Sequence, residues 1–335
     1  MSNIKQLNTY DSLNIKSWNY KNIISNDKLN TYNFIKNKWA LLTTITDDSY
    51  IWEFSNIRLY NNKMYIIGGS RPGGSSNRLI TYDISNNTWD NLEPFPGSGR
   101  TMSACCIHND VLYLHAGRSG ASLGNYIYYN DLYAYNLITS EWSTMAPDSG
   151  DGIFALDMVG YGNYLYVYGG NRGSGGYSTT FPTSLRRYNI NSNVWDTVSL
   201  IGSLSGRRSH RLTIHNDNLY IFGGTNSSGT TITGFVKVNL LTNEASSITP
   251  ISDNNPLPRL EHNMFTYNDQ IHVYGGRSPY DLWIYDPSTN SWSNIIDDNI
   301  PNLTIYSKAD IFDNKLYFYN YVNSNKVEIW QYRLS

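Results

Sequence analysis

Residues 219–224 read "LYIFGG", a run of alternating apolar residues closed by two glycines. Relatives of this hexamer recur as "MYIIGG" at 64–69, "LYLHAG" at 112–117, "LYVYGG" at 165–170 and "IHVYGG" at 271–276. The spacing is about fifty residues, and a fixed period of that size marks a repeat architecture. Around each hexamer a longer unit is legible. One copy runs "IRLYNNKMYIIGG", a loop, "RLITYD", "ISNN" and "TWDNL"; another runs "NMFTYNDQIHVYGG", a loop, "DLWIYD", "PSTN" and "SWSNI". Each unit therefore holds four short strands, here a, b, c and d. Tight turns rich in Asn and Asp, residues that tolerate turn dihedrals, join a to b and c to d.

Composition agrees with an all-β chain. The 335 residues include 29 tyrosines, and aromatic rings suit a pleated surface. Lys plus Arg number 25 against 27 acidic residues, a net charge of −2, so no global bias points to nucleic acid or a membrane surface. No stretch approaches eighteen consecutive apolar residues, and the first residues lack an apolar core of signal-peptide length. Cys105 and Cys106 are adjacent on a predicted strand, where successive side chains face opposite ways, so they are not expected to pair. A reducing, cytoplasmic setting is the expectation.

The glycine pair lets neighbouring backbone approach closely at the end of strand b. The Trp opening strand d (Trp39, Trp89, Trp142, Trp195, Trp292) offers a large plate to pack between sheets. The fourth unit has Glu244-Ala245 in that place. One four-stranded sheet cannot bury both of its faces, whereas copies packed radially around an axis can, and that arrangement is a β-propeller.

Gly-Gly after an apolar strand, Tyr in the next strand and Trp roughly sixteen to twenty-five residues beyond the pair resemble the kelch repeat. The resemblance covers residues 29–335, with five clear copies and a weaker sixth, "ADIFDNKLYFYNYVNSNKVEIWQYRL", which has Tyr319-Asn320 in place of the glycines. It implies a kelch-type β-propeller, in agreement with the packing argument. Strands a, b and c occur six times, but strand d follows only the first five. "KWALLTT" at 38–44 is a strand d without a preceding a–b pair, so it is expected to complete the last blade and close the ring. The expectation is one propeller over 1–335 with six four-stranded blades. Seven is the alternative, because "LNTYDSLNIKSWNYKNI" at 7–23 is itself a c–d pair, and residues 1–35 then supply extra strands or a degenerate blade.

The a–b and c–d turns are short and alike, whereas the b–c loops are long and unlike one another ("SRPGGSSN", "RSGASLGNYIYYN", "NRGSGGYSTTFPTS", "TNSSGTTITG"). Divergent loops on a regular frame are where recognition is usually built, so the face carrying the b–c and d–a loops is the expected working face. Arginines cluster there. Arg71, Arg118, Arg172 and Arg277 follow the glycine pairs; Arg100, Arg207 and Arg259 precede strand a. Their planar forks grip carboxylate or phosphate. The alternative role for the second set is to bond loop carbonyls between blades. Aligned strand starts put Phe54, Met102, Ala155, Ser209, Glu261 and Tyr306 around the channel mouth, and in kelch substrate adaptors the corresponding ring contacts acidic peptides. His210 and His262 reach the mouth as ligand-site candidates or as packing residues.

No His-x-x-x-His, Cys/His cluster or Asp-x-Asp-x-Asp-Gly loop is present, and no metal site or cofactor is expected. Kelch-fold copper oxidases need a Cys near a ligand Tyr, a setting Cys105 and Cys106 lack. The leading expectation is a non-catalytic recognition propeller for an acidic peptide or protein partner. The alternatives are an enzyme acting on an anionic sugar, like the kelch-fold sialic acid mutarotases, with Glu261 as the weak catalytic candidate, or a lectin.

Overall fold

The computed structural model describes residues 38–46, 53–71, 74–120, 125–174, 177–276, 280–295, 301, 303–304 and 307–334. The repeat becomes six four-stranded antiparallel sheets. The first blade contains Asn56–Tyr60, Lys63–Ile67, Leu79–Asp83 and Thr88–Leu92 as strands a to d. The second contains Ala104–His108, Val111–His115, Leu132–Asn136 and Glu141–Met145; the third Ile153–Tyr161, Tyr164–Ser174, Arg186–Asn189 and Val194–Thr197. The fourth contains Arg211–His215, Asn218–Phe222, Phe235–Asn239 and Glu244–Ser247; the fifth Asn263–Tyr267, Gln270–Tyr274, Leu282–Asp286 and Ser291–Ile295. In the sixth, Lys308–Phe312, Lys315–Asn323 and Lys326–Arg333 are strands a to c, and Trp39–Ile45 is strand d.

The closing strand runs antiparallel to strand c of that last blade, from Trp39 opposite Tyr332 to Ile45 opposite Val327. Trp39 is buried there, with ring centroids 4.7 Å from Tyr332 and 5.1 Å from Phe318. Strands a of successive blades touch all the way round, the sixth meeting the first, so the ring is complete. The seven-blade alternative is thereby set aside for the described residues; the strand pair expected within 1–35 lies outside them.

Turn chemistry follows the sequence. The a–b turns place Asn61, Asn62, Asn109, Asp110, Asn268 and Asp269 at positive φ, and the c–d turns do the same with Asn87, Asn193, Asn243 and Asn290. Asn and Asp visit this region at least cost among non-glycine residues, and the resulting twist matches the flanking strands. Six apolar clusters form, one between each pair of neighbouring blades, as radial packing of amphipathic sheets requires.

The tryptophan plates divide in two. Trp39 and Trp292 are buried, at 7% and 6% exposure. Trp89, Trp142 and Trp195 are only half-buried, short of the full burial their size leads one to expect. They lie on the outermost strand, where the ring stacks inward on a strand-c Tyr (Trp142 on Tyr135 at 4.9 Å) and the outer edge meets solvent. The indole N–H of Trp142 donates to Glu93 O at 2.8 Å and that of Trp195 to Ala146 O at 2.8 Å.

Candidate functional site

The channel mouth is built from backbone first. Phe54, Met102, Ser209 and Glu261 turn the d–a loops into strand a, Ala155 takes the same place within the longer third-blade strand, and all five adopt a left-handed conformation, with φ between 53° and 60°. Three hydrogen bonds run from Met102 to Glu261, blade to blade: Ala155 N–H to Met102 O at 2.8 Å, Ser209 N–H to Ala155 O at 2.7 Å, and Glu261 N–H to Ser209 O at 2.9 Å. The strain of a left-handed non-glycine residue is held by this belt. These residues line the upper part of a central cavity of about 470 Å³. Tyr306 lies outside the described residues.

The arginines preceding strand a are inside the ring, which corrects their placement as ligand contacts. Arg100 is fully buried and grips Asp131 with both guanidinium nitrogens while donating to Ser98 O at 3.0 Å and Ala116 O at 3.3 Å. Its plane also stacks on Tyr129, 3.9 Å from the ring centroid. Arg259 repeats the scheme with Asp281 at 2.7 Å, Leu257 O at 3.1 Å and Gly275 O at 3.2 Å. Among the described residues Arg207 has no acid on it; it donates to Gly223 O at 3.1 Å, Gly234 O at 2.8 Å and Ser205 Oγ at 3.1 Å, and burial lowers its pKa. Each one ties a d–a loop to the end of strand b, where the glycine pair leaves carbonyls that the sheet does not use. The fork serves the scaffold.

His210 and His262 are likewise fully buried rather than at the mouth. Their rings pack edge-on to Tyr168 at 5.1 Å and Phe222 at 5.5 Å. A Cβ on Gly169, at φ +67°, would sit 2.3 Å from the His210 ring, so this glycine makes room for the histidine of the next blade. Burial first, then the positive charge of Arg207 and Arg211, holds His210 well below the usual imidazole range. For His262 burial is again the largest cause, followed by Arg211 and Arg259.

Of the glycine-adjacent arginines, Arg277 and the Arg71 side chain lie outside the described residues. Arg172 is engaged, donating to Ser149 O at 2.9 Å and Asp151 O at 2.8 Å and lying 3.4 Å from Asp148. Arg118 differs. It is half-buried on the b–c hairpin Arg118–Ser119/Ile127–Tyr128, 4.1 Å from the Tyr126 ring and 4.6 Å from the Phe154 ring. Tyr128 stacks on Phe154 with centroids 5.4 Å apart and planes 13° off parallel, and Ile127 is exposed alongside. Among the described residues no carboxylate pairs with Arg118.

A second set of charges was invisible to the loop-based reading. Strand a is the inner edge of every sheet, so its channel-side backbone groups need partners from elsewhere. Side chains of adjacent blades supply them. Asp157 accepts from Leu212 N–H at 2.8 Å, Asp310 from Leu59 N–H at 2.7 Å and Asn263 from Ala309 N–H at 2.9 Å. Arg58 donates to Cys105 O and to Ile57 O at 2.7 Å. Strand registers put Asn56, Ala104, Asp157, Arg211, Asn263 and Lys308 on one tier around the axis. Lys308 stands opposite Asp157 in the ring, and burial pushes its ammonium down to about 7. Asp310, third in "KAD", and Arg58, last in "FSNIR", carried the sequence signal, an ionisable residue where a strand interior is expected to be apolar.

Comparison with known proteins agrees with this architecture. Residues 19–227 match the model of the Attractin/LZTR1 beta-propeller, and residues 155–334 match that of the KLHDC2/KLHL20/DRC7 Kelch-repeats domain. The Leucine-zipper-like transcriptional regulator 1 homolog of Drosophila melanogaster is 28% identical over 50% of this chain and 18% of its own length. Kelch domain-containing protein 3 of Rattus norvegicus is 25% identical over 70% of this chain and 68% of its own. Kelch domain-containing protein 10 of Homo sapiens is 27% identical over 63% and 49% respectively. The chain thus spans about a fifth of the fly protein and about two thirds of the rat one. With a closed six-bladed ring, five glycine-ended b strands and two matching family models that together run from 19 to 334, the chain belongs to the kelch-repeat β-propeller family.

Proposed function

We propose that this propeller is a non-catalytic recognition module that binds an acidic protein segment on the face carrying the b–c and d–a loops. Kelch propellers generally bind proteins, which supports a protein partner. The acidic character rests on one observation: Arg118, flanked by Tyr126 and Phe154 and paired with no carboxylate among the described residues, offers its fork to an incoming acid. An aromatic flank fixes the guanidinium plane before binding, so little side-chain freedom is lost on contact. Exposed Ile127 and the Tyr126 and Tyr128 rings give the apolar ground that a bound peptide covers. A reducing, cytoplasmic setting is part of the same reading, since Cys105 and Cys106 are free and buried.

The test is a titration of fluorescent acidic peptides against wild type and Arg118→Ala at two salt concentrations. One charged, bidentate contact is worth about 1.5–3 kcal/mol, so affinity is expected to fall roughly tenfold to a hundredfold. Raising the salt should weaken wild-type binding. Peptide binding that is indifferent to both the substitution and salt would refute the reading.

A further inference from the structure

The protein-binding reading makes no use of Lys308. Its side chain enters the central cavity from strand a of the sixth blade, enclosed by the ring of inner strands and half-buried by surface area. Among the described residues its ammonium has no hydrogen bond and no ion pair. Four charged groups act on it from the surrounding blades. Arg211 lies on the same tier, two blades back, and Arg58 lies one blade on and two residues deeper; both oppose a positive Lys308. Glu261 at the rim and Asp157 across the ring favour it. Asp157 is already accepting the Leu212 and Met158 N–H groups, at 2.8 and 3.0 Å.

We propose that Lys308 is a reactive amine that condenses with small 2-oxo acids entering the channel, with the Arg211 guanidinium holding their carboxylate. Arg211 donates to His210 O at 3.1 Å through one nitrogen and has capacity left for an acid. The uncharged amine adds its lone pair to the carbonyl carbon, the carbonyl π electrons take up a proton, and a carbinolamine forms. Loss of that hydroxyl as water, with release of the nitrogen's remaining proton, gives the imine. One amine and one carbonyl compound yield one imine and one water, with no change of oxidation state. Glu261, which lines the same cavity and whose charge acts on Lys308, is the carboxylate we assign to exchange these protons. A lysine desolvated beside other cations is the arrangement that makes the free amine available near neutral pH, and the fall of Lys308 to about 7 accords with it.

The experiment uses the intact protein at pH 7.2 with glyoxylate and cyanoborohydride, which traps the imine, and peptide mass spectrometry to follow each lysine over time. An ordinary lysine near 10.4 is about one part in a thousand uncharged at that pH, so Lys308 should be labelled at least about tenfold faster than Lys315 and Lys326 at the turns. Glyoxylate should label it several-fold faster than acetaldehyde, which lacks the carboxylate. Arg211→Gln should remove that preference and, because it also takes away a cation that opposes the charged amine, slow the acetaldehyde rate as well, so that the glyoxylate-to-acetaldehyde ratio falls to about one; Lys308→Arg should abolish only this one modification. Labelling of Lys308 no faster than Lys315, or equal rates for glyoxylate and acetaldehyde in the wild type, would overturn the proposal. Neither result depends on peptide binding at the loop face.

Discussion

Arg100 and Arg207 occupy equivalent places in two blades and are both buried, but among the described residues only Arg100 meets an acid, and it also lies over the Tyr129 ring. Substituting each with Met separates the two situations. Arg100→Met abandons Asp131, whose side chain is 26% exposed, and removes donors from Ser98 O and Ala116 O. Breaking a buried ion pair from one side costs about 3–5 kcal/mol, and the residual access of water to Asp131 favours the lower end. Losing the contact with Tyr129 adds up to about 1 kcal/mol, partly recovered by the Met side chain, so about 3–4 kcal/mol is expected. Arg207→Met removes three hydrogen bonds to neutral acceptors but also relieves the burial of a charge with no counterion among the described residues. About 1–2 kcal/mol is expected there. Urea unfolding followed by Trp fluorescence gives both values as midpoint shifts at constant m. Equal costs for the two variants, or less than about 1 kcal/mol for Arg100→Met, would refute the clamp account.

The tryptophans should divide as their burial does: Trp39→Ala should cost about 3–5 kcal/mol as a large-to-small core change, and Trp142→Ala, half-buried, about 2 kcal/mol, both read from the same urea midpoints. Stability should also fall as the pH drops through the histidine range. Burial holds His272 down at about 4, whereas in the unfolded chain it takes up a proton near about 6.5, so between these values the unfolded state binds more protons and is favoured. His272 alone then removes on the order of 3 kcal/mol by pH 4, with His210 and His262 adding in the same direction. Thermal melts at pH 7, 6 and 5 should show a steadily falling midpoint, and His272→Phe should flatten the decline; a midpoint independent of pH would contradict the assignment.

The blades were legible because their determinants are local. A glycine pair, an Asn-Asp turn and an outer Trp lie within one unit, and the lone strand at Trp39 counted out the closure. What the arginines do was not local. The forks of Arg100 and Arg259 are claimed by Asp131 and Asp281, 31 and 22 residues further on, and the fourth blade presents Gly234 where an acid would stand. An Asp directly before strand c, in "DLY" and "DLW", was the available signal. The channel tier escaped for a related reason. Asp157, Arg211 and Lys308 are more than fifty residues apart in sequence, and only the closed ring gives them a common axis.

Joining Trp39 to Tyr332 means that one strand pair spans nearly the whole chain. During synthesis the 39–45 strand emerges before the other strands of the ring described, and its partner, Lys326–Arg333, emerges after them. Until then its edge and the Trp39 ring are exposed, along with the apolar side of the first blade, which waits for Tyr317, Tyr319 and Val327. The entropy of closing a loop of this length rises only slowly with length, so the thermodynamic cost is modest. The kinetic burden is larger, since such distant contacts form late and leave an open edge available to other chains. Refolding from urea should therefore be slower, and more dependent on protein concentration, than the local character of the individual blades would imply.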